Sequence, residues 1–128
     1  MADLHLDTNA LIALADPALP LFQLARERIG AGDLPATCAV AWHEFVRGPA
    51  SKRDVAHADE VLEGRIVAVD REAAEKAAAL FRKTGSRRAS TADCLIAAVA
   101  IQAGAALLTA NREDFIRFES DGLRLLTP

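Results

Sequence analysis

One carboxylate at the edge of an uncharged run constrains this chain more than any other feature. From Cys94 to Ala110, 17 residues pass without a charge, and Asp93 stands directly before them. The stretch Cys94-Leu95-Ile96-Ala97-Ala98-Val99-Ala100-Ile101 is apolar on every side of a helix, which predicts a buried helix. Ser90 is placed to cap it and Gly104 to close it. Gln102, Gly104 and Thr109 interrupt the run, which also falls short of the ~20 apolar residues that a membrane span needs. Asp93 therefore sits at the mouth of a core, where an ionised carboxylate is costly unless it is paired or holds a metal ion.

The rest of the chain alternates short apolar strands with helices. Leu4-His5-Leu6 reads as a buried strand ending at Asp7, and Thr8 to Ala15 as a helix stopped by Asp16-Pro17. Leu21, Leu24, Ala25 and Ile29 recur at helical spacing from Pro20. A strand is expected over Leu34 to Cys38, then a helix through Ala41, Glu44 and Phe45 that stops at Gly48-Pro49. Ser51 to Leu62 is an amphipathic, charge-rich helix, and Arg65 to Val69 alternates like a strand. Asp70 is a good N-cap for an Ala-rich helix ending near Gly85. Ala106 to Thr109 is a buried strand, Asn111 starts a short helix, and Leu123 to Leu126 forms a last edge strand. The pattern predicts an α/β fold on a mostly parallel sheet. At 128 residues, with no linker or repeat, it is one domain spanning 1–128.

Composition removes several classes. Two cysteines are too few for a disulfide framework, and both lie in apolar runs, which fits a reduced, cytoplasmic protein. The opening residues lack the basic and apolar regions of a signal peptide. Only 5% of residues are aromatic, so base stacking is a poor basis for nucleic-acid binding. The net charge of −3 does not decide the partner: 12 of the 15 cations are Arg, the better residue for phosphate. Committing four carboxylates to a metal would leave 14 acids against those 15 bases. His5, His43 and His57 show no ligand spacing and read as ordinary strand or surface histidines. Neither a Gly-rich phosphate loop nor a Gly-x-Ser-x-Gly elbow is present.

In an open α/β sheet, ligands bind outside the carboxyl ends of the strands. Asp7-Thr8-Asn9 follows the first strand, Thr109-Ala-Asn111-Arg-Glu-Asp114 follows the late one, and Ser90-Thr-Ala-Asp93 opens the helix before it. Glu44, between Trp42 and Phe45, is the fourth candidate. Each acid has a plainer reading: Asp7 as a helix cap, Asp93 and Asp114 as members of Ser/Asn-x-x-Asp capping boxes, Glu44 as a solvated helix residue. Caps do not explain why all of them fall at one edge of a parallel sheet. Like charges gathered there repel, and a divalent cation is the natural remedy. Hard oxygen ligands favour Mg²⁺ or Mn²⁺ over zinc.

At these residues the sequence resembles the PIN-domain family, in particular the VapC-type ribonuclease toxins of bacterial toxin–antitoxin pairs. Leu6-Asp7-Thr8-Asn9-Ala10-Leu11-Ile12 is similar to the first motif of that family and Trp42-His43-Glu44-Phe45 to the second. Ala92-Asp93-Cys94-Leu95-Ile96-Ala97-Ala98-Val99-Ala100 resembles the third, and Leu108-Thr109-Ala110-Asn111-Arg112-Glu113-Asp114-Phe115 the fourth. The resemblance implies a three-layer α/β/α sandwich and a metal-dependent endoribonuclease toxin in the cytoplasm, homodimeric and neutralised by a cognate VapB-type antitoxin. Asp7 and Asp93 would ligate Mg²⁺ or Mn²⁺, with Glu44 and Asp114 completing the catalytic acids. Thr8, Asn9, Thr109 and Asn111 would support them. Many relatives carry Asp where this chain has Asn111, which weakens the case for a second metal ion; Asp114 is the acid that would compensate.

Arg82, Lys83, Arg87 and Arg88 flank the Asp93 helix, where they would grip an RNA backbone or simply form a solvated helix end. The second helix carries more large apolar residues than one core can take, with Phe22 off its buried face, so a groove for a partner segment is expected there. Two other functions compete. One is a catalytically weak RNA- or protein-binding module, with Asn111 marking lost chemistry. The other is a receiver or phosphoryl-transfer domain, which wants a second Asp where position 9 is Asn.

Overall fold

The computed structural model describes residues 3–48, 50–84 and 90–128. Met1, Ala2, Pro49 and Gly85 lie outside those residues, as do Arg87 and Arg88. Five strands form one parallel sheet: β1 (Leu4–Leu6), β2 (Pro35–Cys38), β3 (Ile66–Val67), β4 (Ala106–Leu108) and β5 (Arg124–Leu126). Their spatial order is β3-β2-β1-β4-β5. Helices α1 (Thr8–Ala13), α2 (Pro20–Gly30), α3 (Ala39–Arg47), α4 (Lys52–Leu62), α5 (Arg71–Thr84), α6 (Thr91–Ala103) and α7 (Arg112–Phe115) make the connections and cover both sides of the sheet. A 3-10 turn over Ile116–Asp121 leads into β5. The result is the expected three-layer α/β/α sandwich, and every strand pair described is parallel.

Strand lengths follow from what each strand can pair with. Cys38 pairs with Val67 and is also the N-cap of α3, so Ala68 and Val69 have no extended neighbour. The expected Arg65–Val69 strand is therefore cut to two residues. Helix α1 ends before Ala15 because the Leu14 and Ala15 amides bond three residues back, to Leu11 and Ile12, tightening the last turn. The Asp70 carboxylate caps α5 by accepting from the Ala73 amide at 2.8 Å, and Gly104 closes α6 at φ +65, where a side chain would be strained.

The core is built on β1 and β4. Leu4, Leu6, Leu107 and Leu108 are buried in the sheet, and Phe115 and Phe118 seal its β5 side. Burying each such side chain contributes about 1.5–3 kcal/mol. Residues Cys94 and Ile96 to Ala100 of α6 are all buried, as its uncharged run requires. No helix among the described residues is long and apolar enough to cross a membrane.

The strand order fixes where a ligand can bind. The chain winds outward from β1 to β2 and β3, then returns to place β4 on the other side of β1. The crevice at the carboxyl ends of β1 and β4 is the topological switch point, where α/β sheets bind their ligands. Leu6 pairs with Leu108, so the next residues, Asp7 and Thr109, emerge side by side at that crevice.

Candidate active site

Asp7 is both a cap and the centre of the cluster. Its Oδ1 accepts the Ala10 amide at 2.8 Å, closing the first turn of α1, while Oδ2 accepts the Thr109 hydroxyl at 2.5 Å. Only 3% of the residue is exposed. Burial raises its pKa to about 6; the Thr109 and Ala10 hydrogen bonds pull against that rise, and repulsion from Asp93 adds to it. The plainer reading of Asp7 is thus true and incomplete. A cap needs one carboxylate oxygen, and the other is committed to a residue from β4.

Thr109 ties the fourth motif to the first. Its hydroxyl donates to Asp7 and accepts the Asn111 amide at 2.9 Å, which fixes the turn into α7. The Asn111 side chain is exposed and makes no capping bond. Asp114, also exposed, donates its amide to the Asn111 carbonyl, and its charge acts on Asp93. The capping-box reading of Asn111-x-x-Asp114 therefore fails in its side-chain half.

Asp93 lies in the first turn of α6, its amide donating to the Ser90 hydroxyl at 2.9 Å. It is half-buried. Burial raises its pKa, the Ser90 hydroxyl opposes the rise, and the Asp114 and Glu44 carboxylates add repulsion. Glu44 enters from α3, whose buried residues Ala41 and Phe45 leave it on the side toward α1. There its Oε1 accepts the Thr8 hydroxyl at 2.7 Å. Thr8 thus holds Glu44 as Thr109 holds Asp7. Asn9 is half-buried beside them and borders a small apolar cavity with Ile12, Leu19 and Ala110.

The four acids are neighbours, not a closed cage. Among the described residues, no three His, Cys, Asp or Glu side chains stand close enough together to hold a metal ion. Mg²⁺ does not need such a cage: it keeps several waters and binds through one or two carboxylates. The donor set here is entirely oxygen, and two of its members are raised in pKa by burial and by repulsion from neighbouring carboxylates, which a cation relieves. The residues fit a hard divalent ion at Asp7 and Asp93.

The basic residues divide. Lys83 is paired with Asp121 at 3.1 Å, and Arg82 is exposed beside Thr91 and Cys94. Arg87 and Arg88 lie outside the described residues. Two arginines that the sequence reading passed over stand near the acids. Arg47 reaches within 3.9 Å of Glu44, one helical turn away, and Arg117 exerts its charge on Asp93. Their spacing of three residues from Glu44 and from Asp114 is the signal that could have found them.

The chain is similar to known proteins in sequence and in fold. The sequence model of the PIN domain matches residues 4–120. No curated protein matches the chain with significance. Among solved structures, FitAcB from Neisseria gonorrhoeae is similar at a TM-score of 0.74 and 21% identity, over 98% of this chain and 97% of that one. A toxin–antitoxin complex from Klebsiella pneumoniae is similar at 0.70 and 25% identity, over 99% and 98%. VapBC-5 of Mycobacterium tuberculosis, described as a member of a family of toxin–antitoxin systems, follows at 0.60 and 26%, over the whole of both chains.

Proposed function

Because the chain belongs to the PIN-domain family, we propose that it is a metal-dependent endoribonuclease, the toxin of a toxin–antitoxin pair. The observation that carries this reading is the meeting of Asp7, Glu44, Asp93 and Asp114 at one sheet edge, with Thr109 bridging the first and fourth motifs. Toxin–antitoxin complexes among its structural neighbours support the toxin half of the reading.

Asp7 and Asp93 would hold Mg²⁺ or Mn²⁺. When bound, such an ion neutralises charge on the scissile phosphate and lowers the pKa of a bound water. Everything else falls to the side chains. Thr109 keeps the Asp7 carboxylate turned toward the crevice. Glu44, held at Oε1 by Thr8, would accept a proton from the attacking water at Oε2, which has Arg47 at 3.9 Å. Asp114, exposed at the rim, adds negative charge where Asn111 offers only a neutral amide. In an in-line hydrolysis the water oxygen would bond to phosphorus as the bond to the 3′ oxygen breaks, Glu44 taking the water's proton and the departing 3′ oxygen taking one from solvent.

The partner reading rests on α2. Leu21 and Ala25 are buried beneath it, but Phe22 turns instead into a groove of about 330 Å³ with Leu14, Ile29 and Val61, rimmed by Arg26 and His57. We assign that groove to an amphipathic segment of a VapB-type antitoxin, with homodimerisation of the toxin as the accompanying state. The deciding experiment is RNA cleavage by the purified chain, freed of any partner, in Mg²⁺, Mn²⁺ or EDTA. Cleavage with metal alone, lost in Asp93→Asn, is expected. A wild type that binds RNA but cleaves none with either metal would make it a binding module instead.

A further inference from the structure

We propose that Arg117 contacts a phosphate of the RNA strand, one beside the scissile position; this rests on the nuclease reading above. Arg117 follows α7 in the 3-10 turn, and its half-buried guanidinium is underemployed. Nη2 donates to the Glu113 carbonyl at 3.2 Å, while Nη1 is buried with no hydrogen-bond partner among the described residues. An unmet N–H of a charged group carries that group's desolvation penalty with nothing to offset it. One bond of 3.2 Å is little to hold it inside when an anion is offered outside.

The outside is a cavity of about 360 Å³ lined by Lys83, Thr84, Glu113, Ile116 and Arg117. Among the described residues, Asp121 Oδ1 answers the Lys83 ammonium at 3.1 Å, whereas Arg117 makes no ion pair; Asp121 Oδ2 is likewise buried without a partner. Its planar fork of donors matches phosphate oxygens, which a lysine does only as a point charge. The position is also right. Arg117 is near enough for its charge to act on Asp93, and Arg47 stands 3.9 Å from Glu44, so two of the acids have a guanidinium nearby.

The test is binding of a fluorescein-labelled, mixed-sequence single-stranded RNA in EDTA over a range of KCl concentrations, with KM for cleavage measured in Mg²⁺. Arg117→Gln should weaken binding and raise KM about three- to tenfold, and should lower the salt slope by about 0.7, the loss of one phosphate contact on a single strand. Arg117→Lys should keep the slope and recover part of the affinity. A Gln variant with unchanged affinity, slope and KM overturns the proposal, as does one that loses thermal stability while the slope stays. Loss of affinity for the antitoxin alone would hand the site to a protein and overturn it too. If wild type cleaves RNA and only the Arg117 result is negative, the nuclease reading stands. A wild type that neither binds nor cleaves RNA removes both.

Discussion

Asp7 and Thr109 are 102 positions apart in the chain, yet the Thr109 hydroxyl lies 2.5 Å from Asp7 Oδ2. Parallel register between β1 and β4 creates the contact, and burial leaves Asp7 no water to replace it. Thr109→Val keeps the shape and removes the donor. Metal affinity should fall about 10- to 100-fold, the usual cost of losing a group that orients a ligand. Calorimetric titration with Mn²⁺ checks this, and an unchanged affinity would show that Asp7 is oriented without Thr109.

Thr8 and Glu44 should behave as one unit. Glu44→Gln is expected to lower kcat about 10²- to 10⁴-fold, the range for removal of a general base. Thr8→Val should cost roughly tenfold and, because it acts through Glu44, should cost almost nothing more in the Gln background. Additive losses in the double variant would separate the two residues.

The fourth motif makes a sharper distinction. Asn111 supplies Thr109 with its backbone amide, which survives replacement of the side chain. Asp114 supplies charge. Asp114→Asn should therefore weaken Mn²⁺ binding about tenfold, or ~1.4 kcal/mol, while Asn111→Ala changes it little. The reverse order in a Mn²⁺ titration would place the fourth ligand at Asn111.

Stability of the metal-free protein should carry two opposed pH terms. Asp7 is raised from 3.8 to about 6, so its contribution grows as pH falls from 6 toward 4. His5, buried and with no partner for Nε2 among the described residues, is lowered from 6.5 to about 4, so its contribution is lost over nearly the same window. The two largely cancel in wild type. Asp7→Asn should lose stability relative to wild type on acidification from pH 6.5 to 4.5, and His5→Leu should gain, each by about 1–3 kcal/mol. Urea unfolding in EDTA at the two pH values measures both; parallel curves for all three proteins would contradict the assignment.

The α2 groove predicts a partner. Phe22→Asp places a charge among Leu14, Ile29 and Val61 and should abolish co-purification with the product of the adjacent gene. Cleavage by the free chain should persist. Wild type that stays monomeric at micromolar concentration, and is neither bound nor inhibited by that product, would remove the partner reading.

The sequence alone determined the α/β class and the order of its elements, because apolar periodicity, caps and breakers act over a few residues. Asp70 and Ser90 as caps, Gly104 as a stop and the buried α6 run are local facts of that kind. It also listed the acids, since strand ends of a parallel sheet are where ligands bind. What it could not decide was partnership. Asp7 as a cap and Asp7 as a site residue make the same local pattern, and only the β1–β4 register reveals that its second oxygen belongs to Thr109. Glu44 became more than a solvated helix residue only when α3 brought it to Thr8, 36 positions away. Arg117 had only its three-residue spacing from Asp114 to mark it: its lack of a partner among the described residues and its pull on Asp93 exist only after the helices have packed. Charge and burial are set by neighbours in space, and those are chosen by the tertiary fold.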